Sequence, residues 1–222
     1  VGADVVAQHR ETNIRTASAT DQEGRFRLPF LKVGGYTLTI VKQGFKPATR
    51  ELVLNAGSAF QLPIALEMEG LTESLTVTSE VVLESARSQI SGTVSSVEVQ
   101  ALPMNGRNFL DLGLLVPGVS PTNTGSSQLF AETSAVPGNG ISVGSQRNFS
   151  NSFIVDGLSA NDDAAGLSGI PLAVDSVEQL QVVTSGGQAE LGRALGGYVN
   201  VVTRSGANTL GGSAYEYFRD DS

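Results

Sequence analysis

Over the first 66 residues apolar and polar side chains alternate with a period of two. Phe26 and Leu28 alternate with Arg25 and Arg27, and Tyr36, Leu38 and Ile40 alternate with Thr37, Thr39 and Val41. That period is the signature of half-buried strands, whose successive side chains point to opposite faces. A valine-rich run at residues 4–8 and a second strand segment at 14–20 come first, followed by the turn sequence Asp21-Gln22-Glu23-Gly24, and Leu62, Ile64 and Leu66 close the set. Many short strands divided by turn signals predict a small β-sandwich over residues 1–67.

Beyond residue 89 the pattern changes. Residues 90–119 read as helical and then as turns: Leu102-Pro103 and Asn105-Gly106-Arg107-Asn108 break the chain. Phe109, Leu110, Leu112, Leu114 and Leu115 then form a short apolar segment stopped by Pro117-Gly118. Arg107 stands four residues before Asp111, the spacing of a helical ion pair. Residues 121–140, rich in Ser, Thr, Asn and Gly, are expected to form a mobile loop. A strand pair is expected from 141–146 and 153–156, with Asp156-Gly157 as the turn that follows. Residues 180–183 and 198–202 predict two strands of one buried sheet, joined through Gly186, Gly187, Gly192, Gly196 and Gly197, with Glu178 in a short helical lead-in.

Charge sharpens the division. Residues 1–67 carry 8 Lys+Arg against 6 Asp+Glu, whereas 68–222 carry 6 Arg, no Lys and 16 acids. The shift supports a boundary near residue 67, and the acidic part offers no basic patch for nucleic acid. The chain has no cysteine, which excludes a disulfide framework and a thiolate metal site. No run of 18 apolar residues is present, so no spanning helix is expected. The opening residues read as strand, without a signal peptide, as in a processed chain or a fragment.

Catalytic chemistry finds no constellation. His9 is the only histidine and lies in the first predicted strand. The glycines near Gly186 lack the spacing and the lysine of a phosphate loop. Asp156, Asn161, Asp162 and Asp163 do not follow the twelve-residue calcium loop, so a solvated turn is the reading and no metal or cofactor is expected.

Two resemblances organise these pieces. Gly2-Ala3 with a valine strand, residues 16–24 with Phe26, then Leu31, Gly34-Gly35-Tyr36 and Gly44-Phe45 resemble the carboxypeptidase regulatory-like, transthyretin-like domain, a non-catalytic sandwich. The string LPMNGRNFLDLGLLVPGV, with Arg107 and Pro117-Gly118, is similar to the early plug motif of TonB-dependent outer-membrane receptors. Phe153-Ile154-Val155-Asp156-Gly157-Leu158 resembles the plug's central motif. Glu178, Gly192, Gly197 and Asn200 stand in a stretch that looks like its closing motif.

The resemblance implies a β-sandwich followed by an α+β plug domain with a small mixed sheet. It implies residues 1–67 as sandwich, 68–89 as linker, 90–205 as plug and 206–222 as the start of a first barrel strand, with the barrel itself missing. Within the linker, Leu75, Thr76, Val77, Thr78 and Ser79 are the candidate TonB box, an extended segment suited to strand addition. The implied function is gated uptake of a nutrient ligand across the outer membrane. The partners would be a TonB-type energy-coupling protein and the chain's own barrel, with the sandwich on the periplasmic side and no enzymatic activity. A secreted adhesive or carbohydrate-binding β-module, or an accessory domain of a periplasmic enzyme, are the alternatives that the residues leave open.

Overall fold

A computed structural model describes residues 1–69, 89–102, 104, 107–123, 139–163, 166–187, 191–212 and 214. The candidate box at Leu75, Thr76, Val77, Thr78 and Ser79 lies outside the described residues. The chain divides into two compact units: residues 1–52 with 66–69 and 205–212 in the first, and 53–65 with 89–204 in the second.

The first unit is built on a four-stranded sheet of β1 (Asp4–His9), β2 (Arg15–Ala19), β3 (Gly34–Val41) and β4 (Ala48–Leu54), in the order β2-β1-β3-β4, with β1 antiparallel to both β2 and β3. Alternation places Val5, Ala7 and His9 of β1 and Tyr36, Leu38 and Ile40 of β3 on one buried face. Their register is direct, with Val5 opposite Ile40, Ala7 opposite Leu38 and His9 opposite Tyr36. Cross-strand apolar pairs of this kind are the unit of sheet stability. His9 is a core residue: its ring meets Tyr36 edge-on at 4.9 Å, and Nε2 lies 3.2 Å from the Val33 carbonyl.

Two expected strands do not enter this sheet. Phe26 and Leu28 are half-buried between exposed Arg25 and Arg27, and Leu62, Ile64 and Leu66 alternate in the same way, yet neither segment forms a ladder. The side-chain pattern there records burial of one face. It carries no information about a backbone partner.

The second unit is centred on a five-stranded mixed sheet in the order β5-β12-β13-β8-β9. Its strands are β5 (Ile90–Val94), β8 (Ser152–Val155), β9 (Leu158–Ser159), β12 (Val177–Ser185) and β13 (Tyr198–Thr203). β12 and β13 are strands of one sheet, as the sequence predicts; they pair antiparallel, and β13 runs parallel to β8. Smaller ladders join β6 (Val119–Asn123) to β7 (Asn139–Val143), and β10 (Asn161–Asp162) to β11 (Leu167–Ser168).

Several sequence expectations are corrected here. The strands near 141 and 153 do not pair with each other. The first joins β6, so the ends of the expected 121–140 loop are paired strands, and the second joins β13. The 90–119 region opens as strand β5, followed by one short helix, α1 (Ser96–Ala101). Ser95 caps α1: its hydroxyl accepts the Glu98 N–H, while the Glu98 carboxylate accepts the Ser95 N–H at 2.8 Å, a complete capping box. The apolar run at Phe109–Leu115 is a 3-10 helix.

One face of the sheet packs on that 3-10 helix. Phe109, Leu110 and Leu112 join Leu180, Val182, Val199 and Val201 in a continuous core with Val94, Ile141, Val143 and Phe153. Val177 belongs to the same core although it lies an odd number of positions from Leu180; a register shift between Val177 and Gln179 turns it inward.

Candidate functional site

Of the residues that the sequence singled out, Asp156 and Glu178 lie against the end of β13. Asp156 and Gly157 form the two-residue turn between β8 and β9, with φ of 48° and 83°. Both angles are left-handed, as a hairpin turn of this length requires, and Asp tolerates them better than most residues. The turn also reaches outward. Asp156 donates its backbone N–H to the Val201 carbonyl at 3.0 Å, and its carboxylate accepts the N–H and hydroxyl of Thr203 at 2.9 and 2.6 Å.

A second fastening lies on the next residue. Arg204 donates its backbone N–H to Ser176 at 2.8 Å, and its guanidinium stands 3.7 Å from the Glu178 carboxylate. Glu178 therefore acts from strand β12 and not from a helical lead-in; the helical turn is the 3-10 segment Val174–Ser176 just before it.

Arg107 departs from its expected local partner. It takes φ of 50° and bonds Asp175, 68 residues away, at 2.6 Å. Asp111 has its carboxyl raised above the usual 3.8 by desolvation, the opposite of what an arginine partner would cause. Pro117 and Gly118 fill the two central positions of a turn closed by the Val119 N–H on the Val116 carbonyl at 3.2 Å, with Gly118 at φ 85°. Pro then Gly with positive φ is the residue order of a type II turn.

The two closing-motif glycines differ. Gly197 is buried: a Cβ there would lie 2.5 Å from Val143 Cγ1 and 2.7 Å from the Val183 carbonyl. Gly192 has nothing within 4 Å. Asn200 donates to Gln181 across the β12–β13 pair at 3.5 Å.

Four participants were not foreseen. Thr203 and Asp175 gave no signal, because their partners are far away in sequence. Gln179 and Gln181 drew no notice beside the apolar residues of their strand, yet they are 6% and 1% exposed. Among the described residues no group of three or more His, Cys, Asp or Glu is placed to hold a metal. A small pocket of ≈ 170 Å³ is bordered by Phe149, Asn161, Asp162 and the exposed Arg193–Asp163 ion pair. No helix among the described residues is long and apolar enough to cross a membrane, which says nothing of a β-barrel.

Comparison with known proteins gives three findings. The carboxypeptidase regulatory-like domain family matches residues 1–67. The TonB-dependent transporter Oar of Myxococcus xanthus is 33% identical over 223 residues, covering 96% of this chain and 20% of that protein. The chain thus spans about a fifth of the length of the curated relative it matches. The outer membrane transporter YddB from Escherichia coli aligns with a TM-score of 0.43 at 21% identity, over 52% of this chain and 17% of that one.

Proposed function

Because residues 1–67 match the carboxypeptidase regulatory-like domain family and the chain is related over nearly all its length to a TonB-dependent transporter, we propose that it is the sandwich and plug part of a TonB-dependent outer-membrane receptor. The observation that carries the reading is the 33% identity sustained over 96% of the chain, which spans both compact units. The role is non-catalytic. Residues 1–67 act on the periplasmic side, 68–89 link, 90–205 plug a barrel, and 206–222 lead into its first strand.

In this reading the second unit occludes the barrel. A nutrient ligand bound outside, together with a pull by a TonB-type coupling protein on Leu75, Thr76, Val77, Thr78 and Ser79, rearranges it. The apolar Leu75 and Val77 and the β-branched Thr76 and Thr78 suit pairing with an edge strand of that partner. The locked exit of the chain supports the same assignment. Thr203 and Arg204 are held by Asp156, Ser176 and Glu178, so the strand preceding residue 206 is fixed within the second unit.

Two experiments test the proposal. Val77→Pro removes one ladder donor and is expected to abolish binding to the coupling protein's periplasmic domain while the fold persists. Unchanged binding removes the box. The coding sequence downstream of Ser222 is expected to continue in alternating segments of about ten residues, the mark of a barrel. A stop codon or a globular catalytic sequence removes the transport role.

A further inference from the structure

The five-stranded sheet has a second face, which carries Gln179 and Gln181 beside Val183 and is covered. Gln179 and Gln181 point away from the Leu180 and Val182 core, as alternate residues of a strand must. Gln181 donates to Ser91 Oγ on β5 at 3.4 Å and accepts from Asn200 Nδ2 on β13 at 3.5 Å, so one amide row ties three strands together.

The cover is the turn that leaves β4. Ala56, buried to 4% exposure, donates its N–H to Gln179 Oε1 at 2.8 Å, and Gln179 Nε2 donates to Asn55 Oδ1 at 3.1 Å. Gly57, at φ 69°, sits so close to the Gln181 amide that a Cβ would collide with it. Residues 53–65 are packed in the second unit, although the family match to the sandwich domain runs through them to 67.

We propose that Asn55, Ala56 and Gly57 form a releasable latch on this amide row, coupling the chain that leaves β4 to strands β12 and β13. The chemistry of the contact is what permits release. An apolar cover would expose hydrocarbon on lifting, whereas the Gln179 amide and the Ala56 N–H exchange their bonds for bonds to water. The row relays the change: once Gln179 loses its partners and water reaches Gln181, the bond to Asn200 weakens, three residues before the Asp156 lock on Thr203. This inference rests on the chain's own packing and stands whether or not the transporter reading holds.

Hydrogen exchange on the full 222-residue chain, resolved by amide, tests it. The Ala56 amide is expected to exchange at least about tenfold faster than that of Val182, with a rate insensitive to low urea, because it opens locally. Asn55→Ala, a change at an exposed residue, is expected to speed exchange at Ala56 and at Asn200 by roughly threefold or more while Leu38 is unmoved. Gly57→Ala is expected to hold the latch open and raise both rates further. Ala56 exchanging in step with Val182, with the same urea dependence, overturns the latch. Faster exchange at Ala56 with Asn200 unchanged in both variants overturns the relay.

Discussion

The Asp156 carboxylate accepts two hydrogen bonds from Thr203, one from the backbone at 2.9 Å and one from the hydroxyl at 2.6 Å, across 47 residues of chain. A turn residue thereby fixes the end of the strand that pairs directly with β8. Asp156→Ala removes both acceptors and places Ala in a left-handed conformation, so a loss of about 1–3 kcal/mol is expected in urea unfolding. Asp156→Asn keeps an acceptor and tolerates the backbone angle, and is expected to lose less than half as much. Equal stability of Asp156→Ala and the native chain sinks the assignment.

The glycines of the closing motif separate cleanly. Gly197→Ala drives a methyl into Val143 and the Val183 carbonyl, both backed by the core, and about 1–3 kcal/mol of destabilisation is expected. Gly192→Ala meets open space with no unusual backbone angle and is expected to stay within about 0.5 kcal/mol. Thermal melts of the two variants side by side decide this, and similar shifts in both would contradict it.

The capping box of α1 predicts a pH dependence. Hydrogen bonds from the Ser95 backbone N–H, then from its hydroxyl, hold the Glu98 carboxyl below its ordinary 4.5. A depressed carboxylate contributes stability above its unfolded value and loses it as pH falls through the folded one. Glu98→Gln is therefore expected to be less stable than the native chain near neutrality and to converge with it in acid below the depressed folded value. Because Glu98 is exposed the difference is small. Ser95→Ala removes the cap itself and is expected to cost about 1 kcal/mol. Parallel denaturation curves at several pH values measure both effects.

Arg107 and Asp175 form a half-exposed pair at 2.6 Å. Solvent screens such a pair, so a double-mutant cycle with Arg107→Ala and Asp175→Ala is expected to give a coupling of about 0.2–1 kcal/mol that shrinks in high salt. A cycle pairing Arg107→Ala with Asp111→Ala is expected to show none. Coupling to Asp111 in place of Asp175 would restore the local helical pairing that the sequence spacing suggested.

Elements built from short-range pattern were legible in the chain. The alternation from Tyr36 to Ile40 announced β3, and the valine runs around Leu180 and Val199 announced β12 and β13 as strands of one sheet. The Asp156-Gly157 turn needed only two residues to be read. The fold class, a sandwich followed by an α+β domain with a mixed sheet, follows from those patterns and from the resemblance they carry.

Tertiary structure alone decided which partners these elements take. Phe26 and Leu28 alternate as a strand does, but a ladder also needs a partner, and that segment pairs with none of the described strands. The strand near Ile141 found β6 and not β8, because pairing depends on which chain the core brings alongside. Sequence spacing points Arg107 to Asp111, four residues away, and only the packed structure selects Asp175, 68 residues away. Gln179 and Gln181 carry the same lesson. Period two set them opposite the core, and whether that opposite face met water or the turn at Asn55 depended on chain 124 residues away. Local pattern determines which side of an element is which, because side-chain direction is a property of the backbone alone. What each side touches is settled by closure of the whole chain.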